Sequence, residues 1–444
     1  MIKVPKILIY GQPFNDLTGG GITISNLFKG WPKDRLATSF VAWDNPIYST
    51  EICDNYYLVG RDEHKWRFPL NCIKRPFPAS GVISDKGKQP VPHTKSKITL
   101  RKALSDLINP ILQWLGVYHF ATRIILSDKQ KAWIMDYKPE ILYIQVSTIE
   151  SIDFAHQLID YLKIPSVIHI MDDWPTTLGR KGPFACFWSK KVTKEFIKLL
   201  DKTSCCLTIS DAMAIEYKKR YGKNFEAYHN PVEIDQFKLV KTETANEKDV
   251  IFKVLYMGRI GTANKQSIKL FANSIAHTKF MDREVRLEIY TKDLNEPLLK
   301  SISRIQNVTV YPAIPHNQIP NLLTRYDLLL LPLDFTKVGF SFAKYSLPTK
   351  ATEYMLSGTP IMVFAPEATA VSRFFREHDC GYCLTNNSPD AIRMSLNFLL
   401  SNEQFCVRIS NNAVRIAKEK FDAEKVRDRF RETLIKIVQQ KNVL

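Results

Sequence analysis

Arg259 and Lys265 stand six residues apart, directly after an apolar run that ends in Met257-Gly258. An arginine fork suits two phosphate oxygens, and a lysine adds a compact charge. Farther on, residues 344–366 read KYSLPTKATEYMLSGTPIMVFAP. This pattern predicts a loop, then a helix with Thr349 as cap and Lys350 at its first position. Gly358 is the stop, Pro360 cannot continue the helix, and 361–364 is a strand covered on both faces. A helix N-terminus carries free N–H donors and makes a natural seat for phosphate. Arg259, Lys265 and the helix start at Thr349 and Lys350 could therefore converge on a diphosphate. They could also stabilise the charge that grows on a diphosphate leaving group. Glu353, expected in the first helical turn, either caps the helix or accepts hydrogen bonds from a sugar diol. By residue type alone, Arg259 and Lys265 also fit a solvated face.

The first half of the chain has its own candidates. Gly19-Gly20-Gly21 follow the strand-like run 6–11 and precede a helical pattern over 22–28. Glycines there would let a ligand approach the backbone, although neither G-x-G-x-x-G nor G-K-[ST] is present. A mobile turn is the plainer reading. His169 ends a strand pattern in SVIHIMDDWP, and ligands in open α/β sheets bind at the carboxyl ends of strands. Asp172 and Asp173 are adjacent, so on a strand they would face opposite ways and make a poor metal pair. Ser210 reads as a helix cap after the strand pattern of CCLTI. Cys380 and Cys383 form a single C-x-x-C with no second pair, too few ligands for structural zinc. No Ser-His-Asp order, H-E-x-x-H or kinase set occurs. The residues suit chemistry by positioning and electrostatics, with no metal.

Elements that could position these groups alternate along the chain. Strand patterns lie at 6–11, 39–43, 56–60, 141–146, 166–171 and 205–209, with helical patterns between several of them. A second series lies at 253–257, 285–290, 308–311, 328–333, 360–364 and 381–384. Alternation of this kind predicts parallel α/β sheets. Two doubly wound domains follow, over 1–238 and 250–412, joined by the polar linker 238–249. A helical tail over 413–439 would pack back on the first domain. Residues 77–102 are rich in Pro, Lys and Ser and read as a mobile basic loop. Arg101 to Leu126 then combines basic and aromatic residues in an apolar segment, which Pro110 would kink or divide. Such a segment either packs as an ordinary helix or lies on a membrane surface.

The totals agree with this layout. A chain of 444 residues with 45% hydrophobic content has room for two or three full cores. Its formal net charge of +17 favours anionic partners without choosing among nucleotides, nucleic acid and lipid. Eight scattered cysteines are not a secreted disulfide framework. The start, MIKVPKILIYG, reads as a strand and not as a signal peptide, and no run of about 18 apolar residues predicts a transmembrane helix. A cytoplasmic protein is expected.

Several stretches in order carry a family resemblance: GGGITISNLF, LTISDAMAIEYKKRYG, HNPVEIDQF, LYMGRIGTANK, VTVYPAIPHNQIPNLLTRYDLLLLPL and PTKATEYMLSGTPIMVF. Together they resemble the retaining, two-domain family 4 glycosyltransferases of the GT-B fold, whose Rossmann-like domains face each other across a cleft. The resemblance implies a nucleotide-diphosphate sugar as co-substrate, with no further cofactor, held mainly by the second domain. Arg259 and Lys265 match the family's diphosphate pair, and Glu353 matches the glutamate on the nucleotide ribose. Gly19 to Gly21 match the loop that closes over the diphosphate, and His169 resembles the histidine near the transferred sugar. Ser210, Thr349 and Lys350 join the implied donor-binding set. One departure is plain: the earlier of the family's two glutamates is Tyr345 here. A subgroup with a Pro-Ser/Thr-Lys element also lacks it, and PTK at 348–350 looks like that version. The implied activity is transfer with retention to a hydroxyl acceptor in bacterial envelope polysaccharide synthesis. A saccharide or lipid-linked acceptor, and a place on the inner face of the membrane, would follow. The rival readings are a GT-B sugar-nucleotide epimerase and a non-catalytic basic binding protein. Nucleic acid is a poor fit, because no dense basic-aromatic motif occurs.

Overall fold

The computed structural model describes residues 4–42, 46–74, 77–83, 100–178, 182–238, 251–276, 279–280 and 283–441. The chain divides into two compact units, Met1–Tyr228 with Arg427–Leu444, and His229–Val426. Each is an α/β unit built on its own largely parallel sheet.

In the first unit the apolar runs become β1 (Ile7–Gly11), β2 (Leu36–Val41) and β3 (Asn55–Val59), and then two short strands, β4 (His64–Trp66) and β5 (Gly81–Val82). Next come β6 (Thr122–Ile124), β7 (Ile141–Ile144), β8 (Ser166–Ile170), β9 (Cys205–Thr208) and β10 (Glu226–Ala227). The sheet order is β10-β9-β8-β7-β1-β2-β3-β5, while β4 and β6 pair apart as a ribbon. All pairings in the large sheet are parallel except that of β5 on β3. Strand order reverses between β1 and β7, the switch point at which such sheets leave room for a ligand.

The second unit repeats the plan. Its strands are β11 (Ile251–Met257), β12 (Lys279–Phe280), β13 (Arg283–Thr291), β14 (Val308–Pro312), β15 (Leu328–Pro332), β16 (Ile361–Phe364) and β17 (Tyr382–Leu384). The order is β12-β13-β11-β15-β16-β17, with β14 also on β13. Here the switch point lies between β11 and β15. Two apolar clusters cover the two faces of this sheet, one holding Leu255, Leu329 and Val363, the other Val254, Leu330 and Met362. These are successive residues of the same strands, as period-two alternation requires.

Six helices matter below: α1 (Gly19–Phe28), α2 (Leu100–Leu115), α3 (Ala185–Lys202), α4 (Lys265–Ile275), α5 (Thr349–Ser357) and α6 (Ala423–Lys441). Phe430 of α6 packs edge-on against Phe28, Tyr143 and Tyr228, so the tail does return to the first unit.

Some expectations need correction. The tail is two helices, Glu403–Lys420 and α6, broken where Phe421 is buried and Val232 pairs through its backbone with Phe421 and Ala423. That pairing puts residues 229–238 and 413–426 in the second unit, not the first. Within the basic stretch 77–102, Gly81–Val82 adds an edge strand and Leu100 opens α2. Residues 84–99, like most of the expected linker at 239–249, lie outside the described residues. Pro110 does not divide α2, which runs through it.

Candidate functional site

In the second unit the chemistry gathers at the carboxyl ends of β11 and β15. After Met257 the chain turns at Gly258, with φ +141°. A Cβ there would come 2.5 Å from Lys350 Nζ, so glycine leaves the space that this lysine fills. The turn 258–264 is tied to a single hydroxyl. Tyr256 Oη donates to the Arg259 carbonyl and accepts from Asn264 Nδ2 at 2.7 Å and Lys350 Nζ at 3.0 Å. Asn264 in turn accepts from Gly261 N–H at 3.0 Å. The backbone of the turn is thus fixed while Arg259 is left outside it. The Arg259 side chain is 80% exposed, with Nε 3.6 Å from Asp293, and Asp293 also accepts from Ile260 N–H.

Lys265 is the first residue of α4. The N-terminus of that helix is not an empty anion seat. Asp334, which follows β15, accepts from Ser267 N–H at 2.8 Å and Gln266 N–H at 3.3 Å. Burial raises the Asp334 carboxyl above its usual range, against the pull of those two amides and of Lys265. The protein therefore supplies its own anion to α4.

Helix α5 is held beside β11 by residues one turn apart. Lys350 meets Tyr256, and Tyr354 Oη accepts from Met257 N–H at 2.9 Å. The i, i+4 spacing puts both on the face toward the strand. Lys350 is half-buried as a whole, but its ammonium is the enclosed end, 4.3 Å above the Tyr256 ring. Burial takes its pKa down to about 7, and Glu353 opposes this weakly. Glu353 faces another way and pairs with His316 Nε2 at 2.8 Å. Two expectations shift by a residue or more. Pro348 holds the cap position, with Thr349 already helical, and Glu353 falls beyond the first turn. Gly358 ends the helix with φ +74°, as the sequence predicts. Tyr345, at the place of the missing glutamate, is buried.

The depressed amine of Lys350 has a measurable consequence. Its folded pKa lies below the unfolded one, so from pH 7 upward the unfolded chain holds the extra proton. Stability from this group is lowest below pH 7 and rises toward pH 10. We expect Lys350→Met to flatten that rise in a thermal-denaturation series. An unchanged slope would place the amine in water.

The first unit distributes its candidates differently. Gly19 to Gly21 are the first turn of α1, not a loop before it. Thr18 caps the helix and accepts from Gly21 N–H at 3.1 Å, and Asn15 Oδ1 accepts from the Leu17 and Thr18 amides. A Cβ on Gly21 would overlap the Asn15 amide, whereas Gly19 faces open space. His169 does not reach the end of β8. It is 1% exposed, with Nδ1 on Tyr143 Oη, and burial holds its pKa down to about 4. β8 is buried along its whole length, so at its last position but one His169 lies in the core. Ser210 caps the helix Asp211–Tyr221, accepting from Met213 N–H at 3.1 Å, and is buried. Asp173 is enclosed and paired with Arg220 at 2.8 Å, while Asp172 is exposed, so the two carboxylates do diverge.

Sequence reasoning missed Tyr256, Asn264, Asp293, Asp334 and His316. Asp334 had a readable signal, since it follows directly on the run LLLLPL, where a strand of this fold presents residues to a ligand.

Residues 251–402, which hold all of the second-unit site, match the family model described as Glycosyl transferases group 1. No curated protein matches the chain in sequence. Solved structures match it along nearly its whole length. HepE of Anabaena in complex with UDP-glucose is 15% identical, with 96% of this chain and 99% of that one covered and a TM-score of 0.58. Sucrose-phosphate synthase from Thermosynechococcus elongatus is 10% identical, with 98% and 100% covered and a TM-score of 0.64. The lipopolysaccharide outer core galactosyltransferase WaaB is 16% identical, with 96% and 97% covered and a TM-score of 0.53. The fold is that of the GT-B glycosyltransferases, and the resemblance read from the sequence holds.

Proposed function

We propose, with the glycosyl transferases group 1 match over residues 251–402 as premise, that the chain moves a sugar from a nucleoside-diphosphate sugar to a hydroxyl acceptor. One observation carries the proposal: Arg259 and Lys265 stand at the switch point of the second unit on a turn locked by Tyr256, with α5 fixed beside it. In this reading Arg259 and Lys265 hold the diphosphate. As the bond from the anomeric carbon to the diphosphate oxygen breaks, its electron pair stays on that oxygen, where the two cations stabilise it without a metal. Glu353 accepts hydrogen bonds from the ribose diol, and His316 holds the carboxylate in place. Lys350 supports the turn from beneath. Transfer proceeds with retention by front-face attack, the leaving phosphate taking the acceptor proton as the new glycosidic bond forms.

The acceptor is proposed to be a saccharide or lipid-linked sugar of the bacterial envelope, met on the cytoplasmic side. A solved neighbour is a lipopolysaccharide galactosyltransferase, which supports that setting. UDP is the first nucleotide to try, because HepE, another neighbour, was solved with it.

The test is a thermal-shift panel of UDP, GDP, ADP, CMP and NAD on the purified chain. At about a hundred times its dissociation constant a ligand adds about 2.7 kcal/mol. We expect a shift with one nucleoside diphosphate. No shift with any of them, from a folded protein at millimolar ligand, would end the transferase reading. Incubation with the cognate donor alone then separates the rival, because an epimerase would yield a new nucleotide sugar.

A further inference from the structure

We propose that the first unit docks on an anionic bilayer through one face, made by the C-terminal half of α2 and the outer ridge of α3. Its purpose, bringing the enzyme to a membrane-borne acceptor, rests on the function proposed above. The geometry does not. On α2, Leu107, Ile111 and Trp114 recur at i, i+4 and i+7, hence on one stripe. They remain 68%, 52% and 61% exposed. The start of α3 is pinned beside them. Trp188 Nε1 donates to the Leu115 carbonyl at 3.1 Å, and a Cβ on Gly182 would overlap the Trp114 carbonyl oxygen. This brings the start of α3, where Phe184 and Phe187 are 52% and 57% exposed, beside the C-terminal end of α2.

The rest of α3 supplies the charge. Its inner face, Trp188, Val192, Phe196 and Leu199, is buried. Its outer face carries Lys190, Lys194 and Lys198 along a shallow groove shared with Ser189, Thr193 and Ile197. Glu195 pairs with Lys198 at 3.0 Å, so Lys190 and Lys194 lead. An apolar, aromatic end followed by a row of ammonium groups fits the headgroup boundary, where rings enter and lysine stems reach back to phosphates. The formal charge of +17 favours the same partner. A second copy fits worse, because equal lysine rows would face each other. Among the described residues no helix is long and apolar enough to cross a membrane. The sequence pointed only to residues 101–126; the lysine ridge comes from a helix some seventy residues farther along.

The experiment is co-sedimentation of the full chain at low salt with vesicles of phosphatidylglycerol and phosphatidylcholine, or of phosphatidylcholine alone. Two surface variants, Lys190→Glu/Lys194→Glu and Phe184→Ser/Phe187→Ser, run beside it, with nucleotide thermal shifts as a control of fold and donor binding. We expect pelleting with the anionic vesicles only. Each variant should lower it at least about fivefold while keeping its nucleotide shift. Pelleting of the charge-reversed variant like the parent would overturn the proposal. So would a parent that ignores both vesicles, or one that forms dimers dissolved by the phenylalanine changes. Docking that behaves as described in a chain that binds no nucleotide would leave this surface standing and remove the transferase reading.

Discussion

Arg259→Ala is expected to lower turnover of the cognate nucleoside-diphosphate sugar by about 10²- to 10³-fold, chiefly in kcat. The size follows from where the charge sits. In the proposed reaction the ground-state diphosphate already carries negative charge, so Arg259 would contribute to binding. The bridging oxygen gains further charge as the sugar departs, and an interaction that strengthens there acts on the rate. The loss should not come from misfolding. The guanidinium is mostly in solvent, and its pairing with Asp293 at 3.6 Å is an exposed ion pair worth about 0–1 kcal/mol. The turn is instead held through the Arg259 carbonyl, which alanine retains. Steady-state kinetics with a melting curve decide the matter. A change in KM alone would assign Arg259 to ground-state binding, and an unchanged kcat/KM would remove it from the site. Arg259→Lys keeps the charge without the fork and should recover part of the rate.

A large effect on stability is expected at Gly11, at the end of β1, and not at Gly19 in the glycine triplet that draws the eye in the sequence. Gly11 has φ +137°, and a Cβ there would lie 2.3 Å from the carbonyl oxygen of Gln145. The obstacle is backbone at the switch point, where Gln145 N–H also donates to the Tyr10 carbonyl at 2.8 Å. It cannot swing aside as a side chain could. Gly11→Ala therefore combines a strained backbone conformation with an overlap, for a loss of at least about 3 kcal/mol. Gly19→Ala, in open space at the start of α1, serves as the contrast and should cost nothing measurable. Urea denaturation of both variants tests this. Equal midpoints would mean that β1 and β7 can move apart at little cost.

Much of the architecture was readable because strands buried on both faces demand unbroken apolar runs, and runs such as KVLYM and LLLLPL satisfy that demand. Gly358 and Pro360 marked a helix end for a local reason, and locally it ends there. What stayed hidden depends on neighbours distant in sequence. Thr349 looked like a cap by residue type, but the helix begins a residue sooner, after Pro348 with its fixed φ. The triplet 19–21 looked like a turn because glycine favours helices poorly, yet Thr18 and the Asn15 turn start the helix regardless. His169 looked like a strand-end residue, but β8 runs on to Ile170 and is buried on both faces. Arg259, Lys265 and Glu353 stood out by residue type. The tyrosine and asparagine that tie down the turn at 258–264 did not, because their partners are set by tertiary packing, and of the aspartates only Asp334 carried a strand-end signal.

The first unit is discontinuous in the chain, and this bears on how the protein is made. Its last segment, the part of α6 from Arg427 on, leaves the ribosome after the whole of residues 229–426. At about 5–20 residues per second that delay amounts to tens of seconds. During it, the apolar surface of Phe28, Tyr143 and Tyr228 has no Phe430 to cover it. The second unit is continuous from 229 to 426 and can close as soon as it emerges. The half synthesised first is therefore completed last, and a nascent chain halted before Arg427 would be bound by chaperones through its first unit.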